Sequence, residues 1–281
     1  MINYNGTIQP TDNKQLTFNN RGFKYGDALF ETIRVIDGKV IFGEEHYLRL
    51  MASMRIMRME IPMEYTLEFF ESEILRLVNA TGMKGKPVKV RFNVFRNDGG
   101  LYTPVNNDVT FYIQATPLKN AFYIITDDVY GVDIFKDFYQ APGLLSSLKT
   151  TNKALQIIGG VYAKENDLQN CLVLNTNKSV IEALNGNLFL VKGTTIKTPP
   201  IADGCLNGIV RKQVLKLLQK LEGYTVEEVS ISPFELQKAD ELFITNSVIG
   251  IQPIKKYRKK EFTTTFAKGL IGKLNAVARL G

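Results

Sequence analysis

The chain has 281 residues, 44% of them hydrophobic and 22% charged, with a formal net charge of +7. That length favours two domains over one, and the apolar share is enough for a core without disulfide or metal staples. Cys171 and Cys205 form no disulfide framework and no metal-ligand spacing, which fits reduced thiols in a cytoplasmic protein. The single histidine, His46, excludes a multi-histidine metal site, and its place in a strongly periodic helix argues against a Ser-His-Asp triad. No metal is expected. The positive balance suits nucleic acid or anionic substrates. The obvious basic run, Lys255-Lys256-Tyr257-Arg258-Lys259-Lys260, reads as a solvated loop, so no nucleic-acid partner is expected. Met1 to Gly6 lack the basic-then-apolar pattern of a leader, and no apolar run is long enough to span a bilayer. A cytoplasmic location and no membrane partner are the expectation.

In chain order, Ala28 to Phe42 reads as a hairpin turning at Asp37-Gly38. Gly43 to Met57 reads as a helix, with Tyr47, Leu50, Met51, Met54 and Met57 as its buried stripe. A second helix covers Tyr65 to Asn79, with Gly82 just beyond its end. Pro87 to Phe95 alternates: Val88, Val90, Phe92 and Val94 share one face, Lys89, Arg91 and Asn93 the other. After the turn Asn97-Asp98-Gly99-Gly100, Val109 to Ala115 reads as another strand. Residues 1–115 thus form a small α+β domain, 116–120 a linker, and 121–281 a larger, mainly β domain with helices. In the latter, Phe122 to Thr126 reads as a strand and Asn152 to Glu165 as a helix. Short strands cluster between Cys171 and Lys197, and Gly208 to Leu221 reads as a helix. Ser232-Pro233-Phe234-Glu235 has the form of a capping box. Glu241 to Thr245 reads as a strand and Phe266 to Leu280 as a closing helix.

Three features carry chemistry. Lys149 sits between Leu144, Leu145, Leu148 and the hydroxyl residues Thr150 and Thr151, and apolar surroundings would favour the neutral, nucleophilic amine. Glu182 interrupts the apolar runs Val180-Ile181 and Leu188-Phe189-Leu190, where a carboxylate needs a cationic partner. Gly208-Ile209-Val210 opens a helix, and its first N–H groups make a site for phosphate. Arg49 could add a fixed positive charge and Ser247 a hydroxyl donor. An amine, a lone acid and a helix start together suit a phosphorylated, aldehyde-bearing nitrogen ring: pyridoxal 5′-phosphate.

In this order the stretches resemble the fold-type IV pyridoxal-phosphate enzymes, the class IV aminotransferases, over nearly the whole chain. The matching stretches are Tyr25 to Arg34, His46-Tyr47-Leu48-Arg49-Leu50, Lys149-Thr150-Thr151-Asn152, Glu182 with Asn187-Leu188-Phe189, Asn207-Gly208-Ile209, and Glu241 to Ser247. The resemblance implies the two-domain fold of the D-amino acid aminotransferases and a homodimer in which each active site borrows a loop from the partner. It implies that Lys149 binds the cofactor as an imine and shuttles the α-proton, and that Glu182 pairs with the ring nitrogen. Arg49, the amides of Ile209 and Val210, and Ser247 would hold the phosphate. Tyr25, Arg91 and Asn246 would lie on the substrate side, with Arg91 meeting a carboxylate.

Within the family, Thr32 follows Phe30-Glu31 where branched-chain aminotransferases usually carry glycine. Asn207-Gly208-Ile209-Val210 replaces the frequent Pro-Gly-Ile-Thr, and Asn246-Ser247 replaces Gly-Thr or Ser-Thr. All three variants resemble aminodeoxychorismate lyase, which releases pyruvate from 4-amino-4-deoxychorismate to give 4-aminobenzoate for folate. The alternative expectation is an aminotransferase of branched-chain or D-amino acids with a 2-oxo acid acceptor.

Overall fold

A computed structural model describes residues 1–12 and 16–280. The chain divides into two compact units, Met1–Ala121 with Lys149–Asn152, and Phe122–Leu148 with Lys153–Gly281.

The first unit contains β1 (Ile2–Tyr4), β2 (Thr7–Gln9), α1 (Arg21–Tyr25), β3 (Ala28–Ile36), β4 (Lys39–Val40), α2 (Gly43–Ile56), α3 (Leu67–Ala80), β5 (Val88–Arg96) and β6 (Val109–Pro117). Its strands form one antiparallel sheet in the order β2-β1-β6-β5-β3-β4. The expected hairpin is there. Asp37 and Gly38 both take positive φ, 50° and 78°, the twist that lets a tight turn join right-handed strands. The alternation of β5 holds as well: Val88, Val90, Phe92 and Val94 are each at most 1% exposed. Phe70 on α3 meets Phe92 at 4.8 Å and Phe92 meets Phe111 at 5.2 Å, so aromatic packing seals helix to sheet. Thr66 caps α3 by accepting from Phe69 N–H.

The second unit contains β7 (Gly131–Gln140), α4 (Ala154–Glu165), β8 (Asn170–Asn175), β9 (Val180–Ala183), β10 (Gly186–Lys192), β11 (Thr195–Thr198), α5 (Ile209–Leu218), β12 (Thr225–Glu228), α6 (Pro233–Leu236), β13 (Glu241–Asn246), β14 (Gly250–Ile254), β15 (Lys256–Tyr257), β16 (Lys260–Glu261) and α7 (Thr265–Leu280). Its sheet runs β12-β11-β10-β9-β8-β7-β15-β16, with β13 branching from β10 and carrying β14. The core gathers Leu172, Val180, Leu188, Leu242, Ile244 and Ile254. The capping box at Ser232 and Glu235 closes as its sequence requires.

Phe122 to Thr126 is not a strand. Tyr123 N–H donates to Asn275 Oδ1 at 2.8 Å and Asn275 Nδ2 donates back to Tyr123 O at 2.9 Å, so a side-chain amide of α7 takes the place of a neighbouring strand. The strand of this region is β7, pairing in parallel with β8. No helix among the described residues is long and apolar enough to cross a membrane.

Candidate active site

In the first unit the site grows from the edge of β3. Beyond the short β4 that edge has unpaired backbone groups, and the segment at Lys149 satisfies them. Phe30 N–H donates to Lys149 O at 2.9 Å, Thr151 N–H donates to Ala28 O at 3.0 Å, and Leu29 bridges Thr150 in antiparallel sense. Gly26, at φ 66°, ends α1; a Cβ there would sit 3.3 Å from that of Asn152, so a small residue lets the turn close on this segment. The backbone thus fixes where Lys149 starts.

Its half-buried ammonium lies 4.5 Å from the centre of the Phe30 ring, and the Arg91 guanidinium lies 3.6 Å from the same ring. Leu144 and Leu145, expected to surround the amine, are each 64% exposed; of the three leucines only Leu148 is buried. Phe30 supplies the apolar surface instead. Arg91 Nε donates to Asn93 Oδ1 at 3.0 Å, and burial lowers the Arg91 pKa against the opposing pull of Tyr112. Tyr25 stands at the end of α1, with its ring 5.8 Å from that of Tyr102 and the Arg21 guanidinium 5.0 Å from its centre.

Arg49 is buried on α2 and bound to Glu31 of β3, with Nε to Oε1 at 2.8 Å and a second bond from Nη2 to Oε2. His46, one turn earlier, sets Nδ1 2.6 Å from the same Oε2. Burial works against ionisation of Glu31, but the Arg49 charge and the bonds from both partners hold its carboxyl at about 2. For His46 burial comes first and lowers the pKa; Glu31 opposes, while the charges of Arg49 and Lys149 reinforce it. Sequence reasoning gave Arg49 a role at the phosphate; it quoted Phe30, Glu31 and His46 within the matching stretches but gave them no role. The signal was present: a lone acid in an apolar strand, and a histidine and an arginine one turn apart on a helix.

The second unit assembles Glu182, Asn187 and the start of α5. Glu182 on β9 and Asn187 on β10 are register partners, and Asn187 pairs in turn with Thr245 on β13. Leu206 ties them to the helix: its N–H donates to Glu182 Oε2 at 2.9 Å, and its carbonyl accepts from Asn187 Nδ2 at 2.7 Å. Gly208 is the N-cap residue of α5 and, lacking a side chain, makes no cap hydrogen bond of its own, so the first turn of Ile209 and Val210 presents a positive end. A Cβ at Gly208 would lie 2.0 Å from Asn187 Oδ1, so this approach requires glycine. Asn246 shapes the turn after β13: its Oδ1 accepts from Val248 and Ile249 N–H at 3.0 and 2.9 Å, and its Nδ2 donates to Asn185 O at 3.1 Å. Ser247 follows in that turn, half-buried, with its carbonyl bonded by Tyr123.

Chemically, the first unit offers an amine on an aromatic surface beside fixed cations. The second offers a carboxylate beside a helix start headed by glycine. The thiols contribute no nucleophile: burial pushes Cys171 up to about 11 and, reinforced by Glu182, Cys205 to about 12. Among the described residues no group of His, Cys, Asp and Glu is placed to hold a metal ion.

The fold, α+β with these two sheets, is that of the fold-type IV aminotransferases. A branched-chain amino acid aminotransferase of Thermobaculum terrenum, solved in its PLP form, superposes with a TM-score of 0.86 at 21% identity, covering 99% of this chain and 93% of its own. The chain belongs to the amino-transferase class IV family, whose model matches residues 28–257. Among curated relatives, an aminodeoxychorismate lyase of Vibrio harveyi is 26% identical over 257 residues, 90% of each chain. A D-alanine aminotransferase of Bacillus licheniformis is 25% identical over 265 residues, 89% of this chain and 86% of its own.

Proposed function

We propose that this protein is a pyridoxal-phosphate lyase that converts 4-amino-4-deoxychorismate to 4-aminobenzoate and pyruvate. Pyridoxal 5′-phosphate is its cofactor, and the residues present fit that group. A helix start headed by glycine and a buried arginine suit a phosphate, Glu182 suits a ring nitrogen, and Lys149 suits an aldehyde. When bound, the cofactor supplies an electron-poor ring that stabilises negative charge at the substrate α-carbon.

Lys149 binds the cofactor and moves the proton at that carbon. Glu182 keeps the ring nitrogen protonated. Arg49, the amides of Ile209 and Val210, and Ser247 bind the phosphate. Tyr25, Arg91 and Asn246 line the substrate side, where Arg91 meets a carboxylate. The net charge of +7 suits a dicarboxylate substrate. The protein works as a homodimer. Leu101 and Tyr102, 74% and 90% exposed on a loop anchored by Arg21, offer the apolar surface that a partner would cover.

The observation that carries the lyase reading is the trio of variant motifs, Thr32, Asn207-Gly208-Ile209-Val210 and Asn246-Ser247. The second reading, an aminotransferase of branched-chain or D-amino acids, is favoured by relatives that bear those names. Purified enzyme given 4-amino-4-deoxychorismate and no 2-oxo acid should release 4-aminobenzoate. Failure to do so, with amino exchange between glutamate and branched 2-oxo acids, would establish the second reading.

A further inference from the structure

Eight of the nine residues of β3 are buried, and one of those eight is an acid: Glu31, 1% exposed. A lone carboxylate at that depth is strongly unfavourable unless its oxygens are matched by donors. Glu31 lies on the same face of the sheet as Leu29 and Ile33, and α2 packs there. From that helix come both partners, Arg49 through Nε and Nη2 and His46 through Nδ1. The carboxyl stays ionised and the imidazole is kept neutral by burial, so Nδ1 carries the hydrogen that Glu31 accepts. That leaves His46 Nε2 as a buried acceptor with no partner among the described residues.

We propose that Glu31 is a positioning residue for phosphate recognition: it locks the guanidinium of Arg49 in one orientation and thereby sets the affinity of the chain for a phosphorylated ligand. This rests on the reading above, in which Arg49 meets the phosphate. An arginine arm has many rotamers, and one held by two parallel bonds has lost that freedom on folding rather than on binding. The opposite role is physically conceivable, because an anion beside Arg49 also weakens its field at a second anion. The two roles differ in sign. If Glu31 only diluted the Arg49 charge, removing it would tighten phosphate binding.

The experiment titrates the cofactor-free, full-length protein with pyridoxal 5′-phosphate and, separately, with pyridoxal, which lacks the phosphate. The readout is the absorbance of the lysine adduct. In Glu31→Gln, affinity for the phosphorylated ligand should fall about tenfold or more, while affinity for pyridoxal changes by less than about threefold. In an Arg49→Ala background the same substitution should add nothing, since its effect passes through Arg49. Should Glu31→Gln fail to fold, Glu31→Asp keeps the charge but shortens the arm, and the same selective loss is expected. Equal losses for both ligands would overturn the proposal, as a merely structural role produces them; so would tighter binding of the phosphorylated ligand. Wild-type protein that binds pyridoxal 5′-phosphate while Glu31→Gln keeps the wild-type ratio refutes the positioning role alone. Wild-type protein that forms no adduct refutes the cofactor reading as well.

Discussion

Gly208→Ala should damage the second half of the site without any backbone strain. Gly208 has φ −72° and ψ 138°, a conformation open to alanine, so the cost is steric. The added methyl would lie 2.0 Å from Asn187 Oδ1 and 3.2 Å from its Cγ. Asn187 is 3% exposed and its Nδ2 holds Leu206 O at 2.7 Å, so it cannot swing aside without breaking a partly buried bond. Breaking that bond and overfilling the space should together cost about 2–4 kcal/mol. For a chain of this size that is a fall in melting temperature of roughly 5 °C or more. Leu206 also donates to Glu182, so the displacement reaches the carboxylate. Thermal denaturation followed by circular dichroism measures the first effect, and titration with pyridoxal 5′-phosphate the second. A variant as stable as wild type, with unaltered cofactor affinity, would refute the argument that this helix start is packed against Asn187.

Arg21→Ala removes a buried cation that donates to Gly99 O at 2.9 Å, to Leu101 O at 2.6 Å and to Asp27 at 2.9 Å. The loop at 97–108 should become the first site of limited proteolysis, with a stability loss of about 1–3 kcal/mol; cleavage no faster than in wild type would contradict this. Stability should also fall on acidification in two stages. His46 has a lowered folded pKa, so its contribution is intact above its ordinary value of 6.5 and declines as pH drops below it. Glu31, moved from 4.5 to about 2, contributes stability that is complete above 4.5 and is lost as pH falls through that interval. Urea midpoints measured from pH 8 to pH 3 should shift less in the double variant His46→Gln, Glu31→Gln than in wild type.

Local chemistry made much of the fold readable. Asp37-Gly38 forms the tight turn of its hairpin, and Ser232 and Glu235 close a capping box. The strand misplaced at Phe122 to Thr126 failed for a non-local reason. An apolar run says which residues prefer burial, but the groups that satisfied the Tyr123 N–H and carbonyl belong to a side chain from the far end of the chain. Pairing of Lys149 and Thr151 with β3 is likewise long-range, and no spacing near Lys149 announces it. Glu31 was readable only in part. The sequence shows an acid in an apolar strand, but its partners become visible once β3 and α2 are packed together.

Trapping the lysine adduct tests the central claim most directly. Purified protein with pyridoxal 5′-phosphate is reduced by borohydride, digested and mapped by mass spectrometry. The pyridoxyl mass should fall on Lys149 alone, and Lys149→Ala should lose it while keeping a wild-type fold, because the bonds that pin this segment to β3 are made by the main chain. Label on another lysine, Lys153 for instance, or no label at all, would contradict the account.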